Sequence, residues 1–161
     1  MNTLELDADG TLVVVDMQEF FVKDCENKAL VENVIAEVKL AMSKGWAIVL
    51  LECDPMRIGG TLNEILAVVA RYPRFVRQTK VKPDGSKEVM AACRMNDYCD
   101  YNFRVVGVWV DACVEQTAVS LVERIAYCVV NVVKQACSTN WDEKGAWEAF
   151  RKRSRLLVVA A

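Results

Sequence analysis

The chain has 161 residues, of which 20 are Lys or Arg, 22 are Asp or Glu, none is His and 53% are apolar. This length and apolar fraction predict one folded domain, spanning residues 1–161, and exclude intrinsic disorder. The absence of His excludes a Ser-His-Asp or Cys-His catalytic site and every zinc motif that needs His. Any chemistry therefore falls to Asp, Glu, Lys, Cys, Ser or Tyr side chains.

The formal net charge is −2, and the basic residues are scattered along the chain. This pattern lacks the electrostatic footprint of a nucleic-acid or anionic-membrane partner. The longest uninterrupted apolar stretch, Trp46 to Leu51, is too short to span a bilayer, and the N-terminus is acidic. We therefore expect a cytoplasmic protein with no nucleic-acid and no membrane partner. The seven Cys contain no Cys-x-x-Cys pair, so neither a disulfide framework nor a bound metal or other cofactor is predicted.

Short apolar runs alternate with segments of helical period, which is typical of an α/β fold. The first predicted strand, Thr11 to Val15, is continuous in Leu and Val, as expected of a strand buried on both faces. The other strands are predicted at Trp46–Leu51, Arg74–Thr79, Phe103–Val108, Cys128–Val133 and Leu156–Val159. The sequence thus predicts a single doubly wound domain with a six-stranded, mostly parallel sheet in the order 3-2-1-4-5-6 and helices on both faces.

The segments between the strands carry helix signals. In chain order these predict an amphipathic helix from Val31 to Met42 and a short helix from Leu62 to Val69 with a capping box of Thr61 and Glu64. A third helix is predicted to start near Ser86, and a fourth, amphipathic helix at Cys113. The last predicted helix is capped by Asn140 and Glu143. These helices supply the two layers that cover the sheet.

Reactive side chains follow three of the predicted strands. Asp16 directly follows the first strand, Lys80 and Lys82 follow the third, and Cys113 begins the helix after the fourth. Ligands of an open parallel sheet bind outside the carboxyl ends of its strands. We therefore expect these side chains to share one crevice.

Each of these residues has a functional and a structural interpretation. A thiol at a helix N-terminus is favoured as a thiolate nucleophile, whereas a buried thiol is the common structural role of Cys. Without His, Asp16 is the best base for the Cys113 proton if burial or the thiolate raises its pKa; otherwise it caps local N–H groups. The lysines either join this site or are solvated turn residues.

Two segments resemble the isochorismatase-like cysteine hydrolases, a family that includes nicotinamidases and N-carbamoylsarcosine amidohydrolases. The segments are LVVVDMQ at residues 12–18 and GVWVDACV at residues 107–114, the latter followed by Thr117-Ala118. The resemblance implies a catalytic triad of Asp16, Lys80 and Cys113. It also implies hydrolysis of a C–N bond in a small amide or carbamoyl substrate through a Cys thioester, and a homo-oligomer that is a dimer or a tetramer.

The resemblance further implies a non-proline cis peptide bond between Trp109 and Val110. In this position the bond would aim backbone N–H groups, including that of Cys113, at the oxyanion of the reaction. Three residues are predicted to line an apolar or aromatic substrate pocket, although core packing is the commoner role of such side chains: Phe21, Trp109 and Trp141.

The chain departs from the family pattern at three places. The Ser-x-Phe segment that follows the family's lysine is missing, so Lys82 stays open beside Lys80 as the triad lysine. LECDP at residues 51–55 replaces a segment with His metal ligands, so no metal site is expected. Gln135 replaces an Asp after the fifth strand.

Other functions stay open on the sequence alone. The family also contains vinyl-ether hydrolases that do not use the thiol covalently, and the sequence does not separate the two chemistries. The alternative to an enzyme is a non-catalytic protein of the same fold that acts in binding or at a subunit interface. Low reactivity of the Cys113 thiol near neutral pH would favour that alternative.

Overall fold

A parallel sheet forms the centre of the computed structural model, which describes residues 9–150 and 157–160. The strands are β1 (Thr11–Val15), β2 (Ala47–Cys53), β3 (Phe75–Lys80), β4 (Asn102–Val108), β5 (Val129–Ser138) and β6 (Leu157–Ala160). Their order is β3-β2-β1-β4-β5-β6, and all neighbouring strands are parallel. The order of β1 to β5 is the predicted one. Leu156, the predicted first residue of the last strand, lies outside the described residues.

Helices cover both faces of this sheet. They are α1 (Glu19–Val22), α2 (Leu30–Ser43), α3 (Pro55–Ile58), α4 (Asn63–Val69), α5 (Ser86–Asn96), a π-helical turn (Val110–Val114) continuous with α6 (Glu115–Arg124), and α7 (Glu143–Ala149). Among the described residues no helix is both long and apolar enough to cross a membrane.

The central strand β1 shows why the apolar runs are continuous. Successive side chains of a strand point to opposite faces of the sheet. Leu12 and Val14 pack in the core on the side of α2 and α4, whereas Val13 and Val15 pack in the core on the side of α5 and α6. A strand between two helical layers therefore has no solvent face and needs apolar residues at every position.

Two predicted helix caps are wrong. The hydroxyl of Thr61, predicted to form a capping box with Glu64, instead donates to Glu52 Oε1 at 2.7 Å, and α4 has no side-chain cap. The helix predicted to be capped by Asn140 starts later, with Asp142 as its N-cap residue. In the first case the hydroxyl donates its hydrogen bond to a buried carboxylate, so it is not available to cap the helix.

Gly107 allows β4 to pass close to β1. Its φ is +118°, and a Cβ atom at this position would lie 2.2 Å from the carbonyl oxygen of Val15. Only glycine combines this backbone angle with this close approach. The pairing of β4 with β5 is also irregular between Val105 and Gly107. The chain thus bends at the carboxyl end of β4, immediately before the turn that contains Cys113.

Candidate active site

Three predicted residues lie together at the carboxyl edge of the sheet. Lys80 Nζ is 2.8 Å from Asp16 Oδ2 and 3.5 Å from Cys113 Sγ. The side chains of Lys80 and Asp16 are 0% and 1% exposed, whereas Cys113 is partly exposed. A buried ion pair therefore contacts a thiol that solvent can reach.

Asp16 is held by the backbone around the end of β1. It has a left-handed φ of +49°, a conformation that Asp tolerates better than most residues, and its N–H donates to the Leu51 carbonyl at 3.1 Å. The buried side chain of Gln18 then joins this segment to the end of β2. Its Oε1 accepts the Cys53 N–H at 2.8 Å and its Nε2 donates to the Cys53 carbonyl at 3.0 Å.

Lys80 is fixed at the end of β3 by close packing around its aliphatic stem. A Cβ atom on Gly85 would lie 2.6 Å from Leu51 Cδ1 and 3.0 Å from Lys80 Cδ, so glycine at this position relieves crowding beside the stem. The Gly85 N–H donates to Thr117 Oγ1 at 3.0 Å, which joins this loop to α6. Lys82 is exposed, and only its backbone carbonyl contacts Lys80 Nζ, at 3.1 Å. Of the two lysines that the sequence left open, Lys80 is therefore the one that contacts Asp16 and the thiol.

The thiol of Cys113 lies in the π-helical turn that precedes α6. The predicted position of the cis peptide bond is wrong by one residue, because the cis bond joins Val108 to Trp109 rather than Trp109 to Val110. β4 ends at Val108 and the turn starts at Val110, so the cis bond lies at the end of the strand itself.

The environment of the thiol favours its protonated form. Burial first, and then the negative charge of Asp16, raise the pKa of Cys113 to about 12, against the opposing effect of Lys80. Of the two interpretations that the sequence left open for Cys113, this environment favours a buried, protonated thiol over a resting thiolate. Burial also raises the pKa of Asp16, although Lys80 and the hydrogen bond from Cys113 lower it. Burial lowers the pKa of Lys80, but the charges of Asp16 and Cys113 outweigh this effect and the net pKa is raised.

The predicted aromatic residues occupy two different environments. Trp109 and Phe21 are partly buried against the core on the α2 side, with their rings edge to face at 5.3 Å. The Trp109 indole N–H donates to the Phe21 carbonyl at 3.0 Å. Trp141 is 51% exposed and its indole N–H donates to Asp111 Oδ2 at 3.0 Å. Trp141 thus presents ring surface to solvent, whereas the other two rings contribute to packing.

No cluster of three or more His, Cys, Asp or Glu side chains within the described ranges could hold a metal ion. Cys53, in the segment that replaces the family's metal ligands, is aligned with Lys80 on the neighbouring strand. Burial raises the pKa of the Cys53 thiol, against the opposing charge of Lys80. This second thiol is therefore a neutral neighbour of the ion pair.

Comparisons with protein-family models and with curated proteins find no match. Several solved structures are similar. The nicotinamidase SaPncA from Staphylococcus aureus has a TM-score of 0.75 and 19% identity over 95% of this chain and 98% of its own. The MAR1 ribonuclease from Caenorhabditis elegans has a TM-score of 0.78 and 21% identity over 94% of this chain and 77% of its own. The N-carbamoylsarcosine amidase from Thermoplasma acidophilum has a TM-score of 0.72 and 18% identity over 95% of this chain and 96% of its own.

The chain has the isochorismatase-like fold. Two of the three structures described above are amidases by name, and each is matched over 95% of this chain. The likeness establishes the fold, whereas the assignment of a reaction depends on the side chains at the carboxyl edge of the sheet.

Within this isochorismatase-like fold, three polar side chains without a role in the sequence prediction hold the site together. Gln18 joins the Asp16 segment to β2, and Thr117 joins α6 to the loop after Lys80. Asp111 joins the turn of Cys113 to the segment after β5. All three lie in or beside the two segments that carry the family resemblance, but the resemblance assigns a role to none of them, so the sequence signal for their role is weak.

Proposed function

We propose that the chain is an amide hydrolase that cleaves the C–N bond of a small amide or carbamoyl substrate through a thioester on Cys113. The observation that carries the proposal is the buried Lys80–Asp16 pair in contact with the thiol. Transfer of an ion pair from water costs several kcal/mol per ion, and the mutual attraction often only offsets that cost. A pair buried beside a nucleophilic atom is therefore better explained by chemistry than by stability.

The first half of the reaction moves one proton from sulfur to nitrogen. Lys80 Nζ contacts both Cys113 Sγ and Asp16 Oδ2, so we assign the neighbouring carboxylate as the base that accepts the thiol proton as Sγ attacks the carbonyl carbon. Lys80 stays positively charged and stabilises the negative charge, which moves from the carboxylate to sulfur and then to the carbonyl oxygen. Asp16 then returns the proton to the leaving nitrogen as the C–N bond breaks, which leaves an acyl thioester on Cys113.

The second half of the reaction consumes one water. Asp16, again a carboxylate, takes a proton from water as the water oxygen attacks the thioester carbonyl. The C–S bond breaks, the acid leaves, and the proton on Asp16 returns to Sγ. The sum is amide plus water to acid plus amine, and the protein ends in its resting protonation state.

The start of the helix is the proposed site of oxyanion stabilisation. Cys113 lies in the first turn of the helical segment that begins at Val110. Backbone N–H groups in a first turn lack intrahelical acceptors and carry the positive end of the helix dipole. The N–H groups of Ala112 and Val114 both donate to the Trp109 carbonyl, at 3.1 Å, so we assign the Cys113 N–H to the oxyanion that forms on the substrate.

The charges of the site favour a small uncharged substrate. Asp16 and Lys80 neutralise each other and the thiol is neutral, so the trio has no net charge for an anionic or cationic substrate. The chain also has a net charge of −2, which disfavours RNA, although one of the similar structures is named a ribonuclease. The exposed ring of Trp141 offers an apolar contact for such a substrate.

A panel of small primary amides and carbamoyl compounds, assayed by ammonia release, tests this proposal. We expect turnover by the natural sequence and a loss of at least about 10³-fold in kcat/KM for Cys113→Ala and Lys80→Met. Lys82→Met is the matched control, because the side chain of Lys82 is exposed and only its backbone contacts Lys80. Quenched reactions should show the acyl mass on the peptide that contains Cys113.

The same assay separates the alternatives. Turnover that survives in Cys113→Ala would overturn the thioester and favour hydrolysis that does not use the thiol covalently. If no member of the panel is turned over and none acylates Cys113, a non-catalytic binding or interface protein becomes the better description.

A further inference from the structure

The turn that carries the nucleophile is tied to the end of β5 by a carboxylate that the proposed reaction does not use. Asp111 lies two residues before Cys113. Its Oδ1 accepts a hydrogen bond from Thr139 Oγ1 at 3.2 Å, and its Oδ2 accepts one from Trp141 Nε1 at 3.0 Å. Thr139 directly follows β5 and is fully buried, whereas Trp141 is half-exposed.

The ordinary explanation of an acidic residue in the first turn of a helix is its attraction to the helix dipole. That attraction needs only a negative charge near the helix start. Here both oxygens of Asp111 are engaged by side chains from a different element, so the carboxylate connects two segments of the fold. The two carboxylate oxygens of Asp111 each accept one of these hydrogen bonds, so Thr139 and Trp141 are bound at once.

The contact between Cys113 and Lys80 is sensitive to small movements of the turn. Lys80 Nζ is 3.5 Å from Cys113 Sγ, so a small shift of the turn would separate the thiol from the ion pair. The Asp16 and Lys80 segments have tethers of their own in Gln18 and Thr117. The hydrogen bonds of Asp111 supply the corresponding tether for the third member.

We propose that Asp111 is a positioning residue for Cys113, which it holds against Asp16 and Lys80 through its hydrogen bonds to Thr139 and Trp141. The kinetic part of this inference rests on the proposed amide hydrolysis. The geometric part does not, because the environment of the thiol can be measured without a substrate.

Two readouts of Asp111→Ala test the inference. If the tether is lost, the turn shifts, the thiol becomes less buried and moves away from Asp16, and its pKa falls from about 12 towards the ordinary value of 9.0. A fall of one unit makes alkylation of Cys113 by iodoacetamide about tenfold faster at pH 9, measured by peptide mass spectrometry. With an amide substrate, kcat should fall by at least about tenfold while KM changes little, since a misplaced nucleophile still allows binding.

Variants that each remove a single hydrogen bond show how much each one contributes, and they are less prone to misfolding than Asp111→Ala. Thr139→Val removes the buried hydrogen bond, and Trp141→Phe removes the half-exposed one, so we expect the larger change from Thr139→Val. Asp111→Asn keeps one acceptor atom and should restore part of the loss. Thr11→Val is the matched control, because Thr11 is also fully buried and donates one hydrogen bond, to the Cys99 carbonyl, at the opposite edge of the sheet.

The two proposals can fail separately. If Asp111→Ala and Thr139→Val leave the alkylation rate of Cys113 and kcat unchanged, or if Thr11→Val changes them equally, the positioning role is overturned. If no variant turns over an amide but alkylation of Cys113 still accelerates in Asp111→Ala and Thr139→Val, the positioning role stands and the proposed reaction fails.

Discussion

Asp16 combines an unusual backbone with an unusual environment. Its left-handed φ of +49° turns the chain sharply at the end of β1, and its side chain lies buried between a lysine and a thiol. Burial raises the pKa of Asp16 more than Lys80 lowers it, so the carboxylate is a stronger base than an exposed Asp. These are the properties required of a group that takes a proton from a thiol and returns it to a leaving amine.

Asp16→Asn should move two readouts in opposite directions. The negative charge of Asp16 raises the pKa of Cys113, whereas Lys80 lowers it. Without that charge the thiol pKa falls below about 12, so alkylation of Cys113 accelerates between pH 8 and 10. Amide hydrolysis is nevertheless lost, by at least about 10³-fold, because no base remains. Peptide mass spectrometry and ammonia release measure the two effects.

Asn is the informative substitution here, since it tolerates the left-handed conformation almost as well as Asp and removes only the charge. Slower alkylation of Cys113 in this variant would contradict the assignment of Asp16 as the group that holds the thiol in its protonated form. Cys25, which is buried beside α2, serves as an internal reference for global opening.

At the scale of elements, strand interiors could be predicted more fully than element ends. Burial on both faces demands an uninterrupted apolar run, and the predicted bounds of β1 are the observed ones. β5 continues beyond its predicted end at Val133 to Ser138, because its pairing with β4 resumes at Cys137 after an irregularity. Such backbone pairing needs no apolar side chain, so hydrophobic patterning does not report it.

The same limit explains the helix caps. A capping residue is recognised by a side chain that can bond to the first N–H groups of the helix. Thr61 has such a side chain, yet its hydroxyl donates its hydrogen bond to Glu52 of β2. The partner is nine residues away in sequence, in another element, and local sequence carries no sign of it.

The bend at the end of β4 depends on Gly107. Gly107→Ala combines a forbidden φ of +118° with a Cβ 2.2 Å from the Val15 carbonyl oxygen, so the loss of stability should exceed about 3 kcal/mol. Gly45→Ala is the matched control, with a positive φ of +70° and no atom within 4 Å of the added Cβ. It should cost about 1 kcal/mol. Urea denaturation measures both, and equal losses would show that the close approach to β1 is unimportant.

Across the whole molecule, topology made the site predictable and tertiary contacts made it specific. Parallel strands place Asp16, Lys80 and Cys113 at one edge whatever their exact contacts are. The sequence does not reveal that Lys80 rather than Lys82 turns inward, because the contacts of Lys80 with Asp16 and Cys113 come from other elements of the fold. Nor does it reveal the raised pKa of the thiol, which follows from burial by all the surrounding elements.

The buried pair also connects the site to the stability of the whole fold. Removal of one member leaves the other charge buried and unpaired, which typically costs about 3–5 kcal/mol, whereas replacement of both members is often neutral or stabilising. We therefore expect Lys80→Met and Asp16→Asn each to lower the free energy of unfolding, and the double variant to recover to within about 1 kcal/mol of the natural sequence or above it. Met preserves the packing of the lysine stem against Leu51 and Gly85.

Urea denaturation at pH 7 closes this double-mutant cycle, with amide hydrolysis measured on the same samples. All three variants should be inactive, so recovery of stability without recovery of activity would show that the two charges are maintained against the stability of the fold. A double variant that loses the sum of the two single losses would contradict this, because additivity means that the two charges do not interact. The pair would then act as two independent structural groups, and the argument from its burial to catalysis would fail.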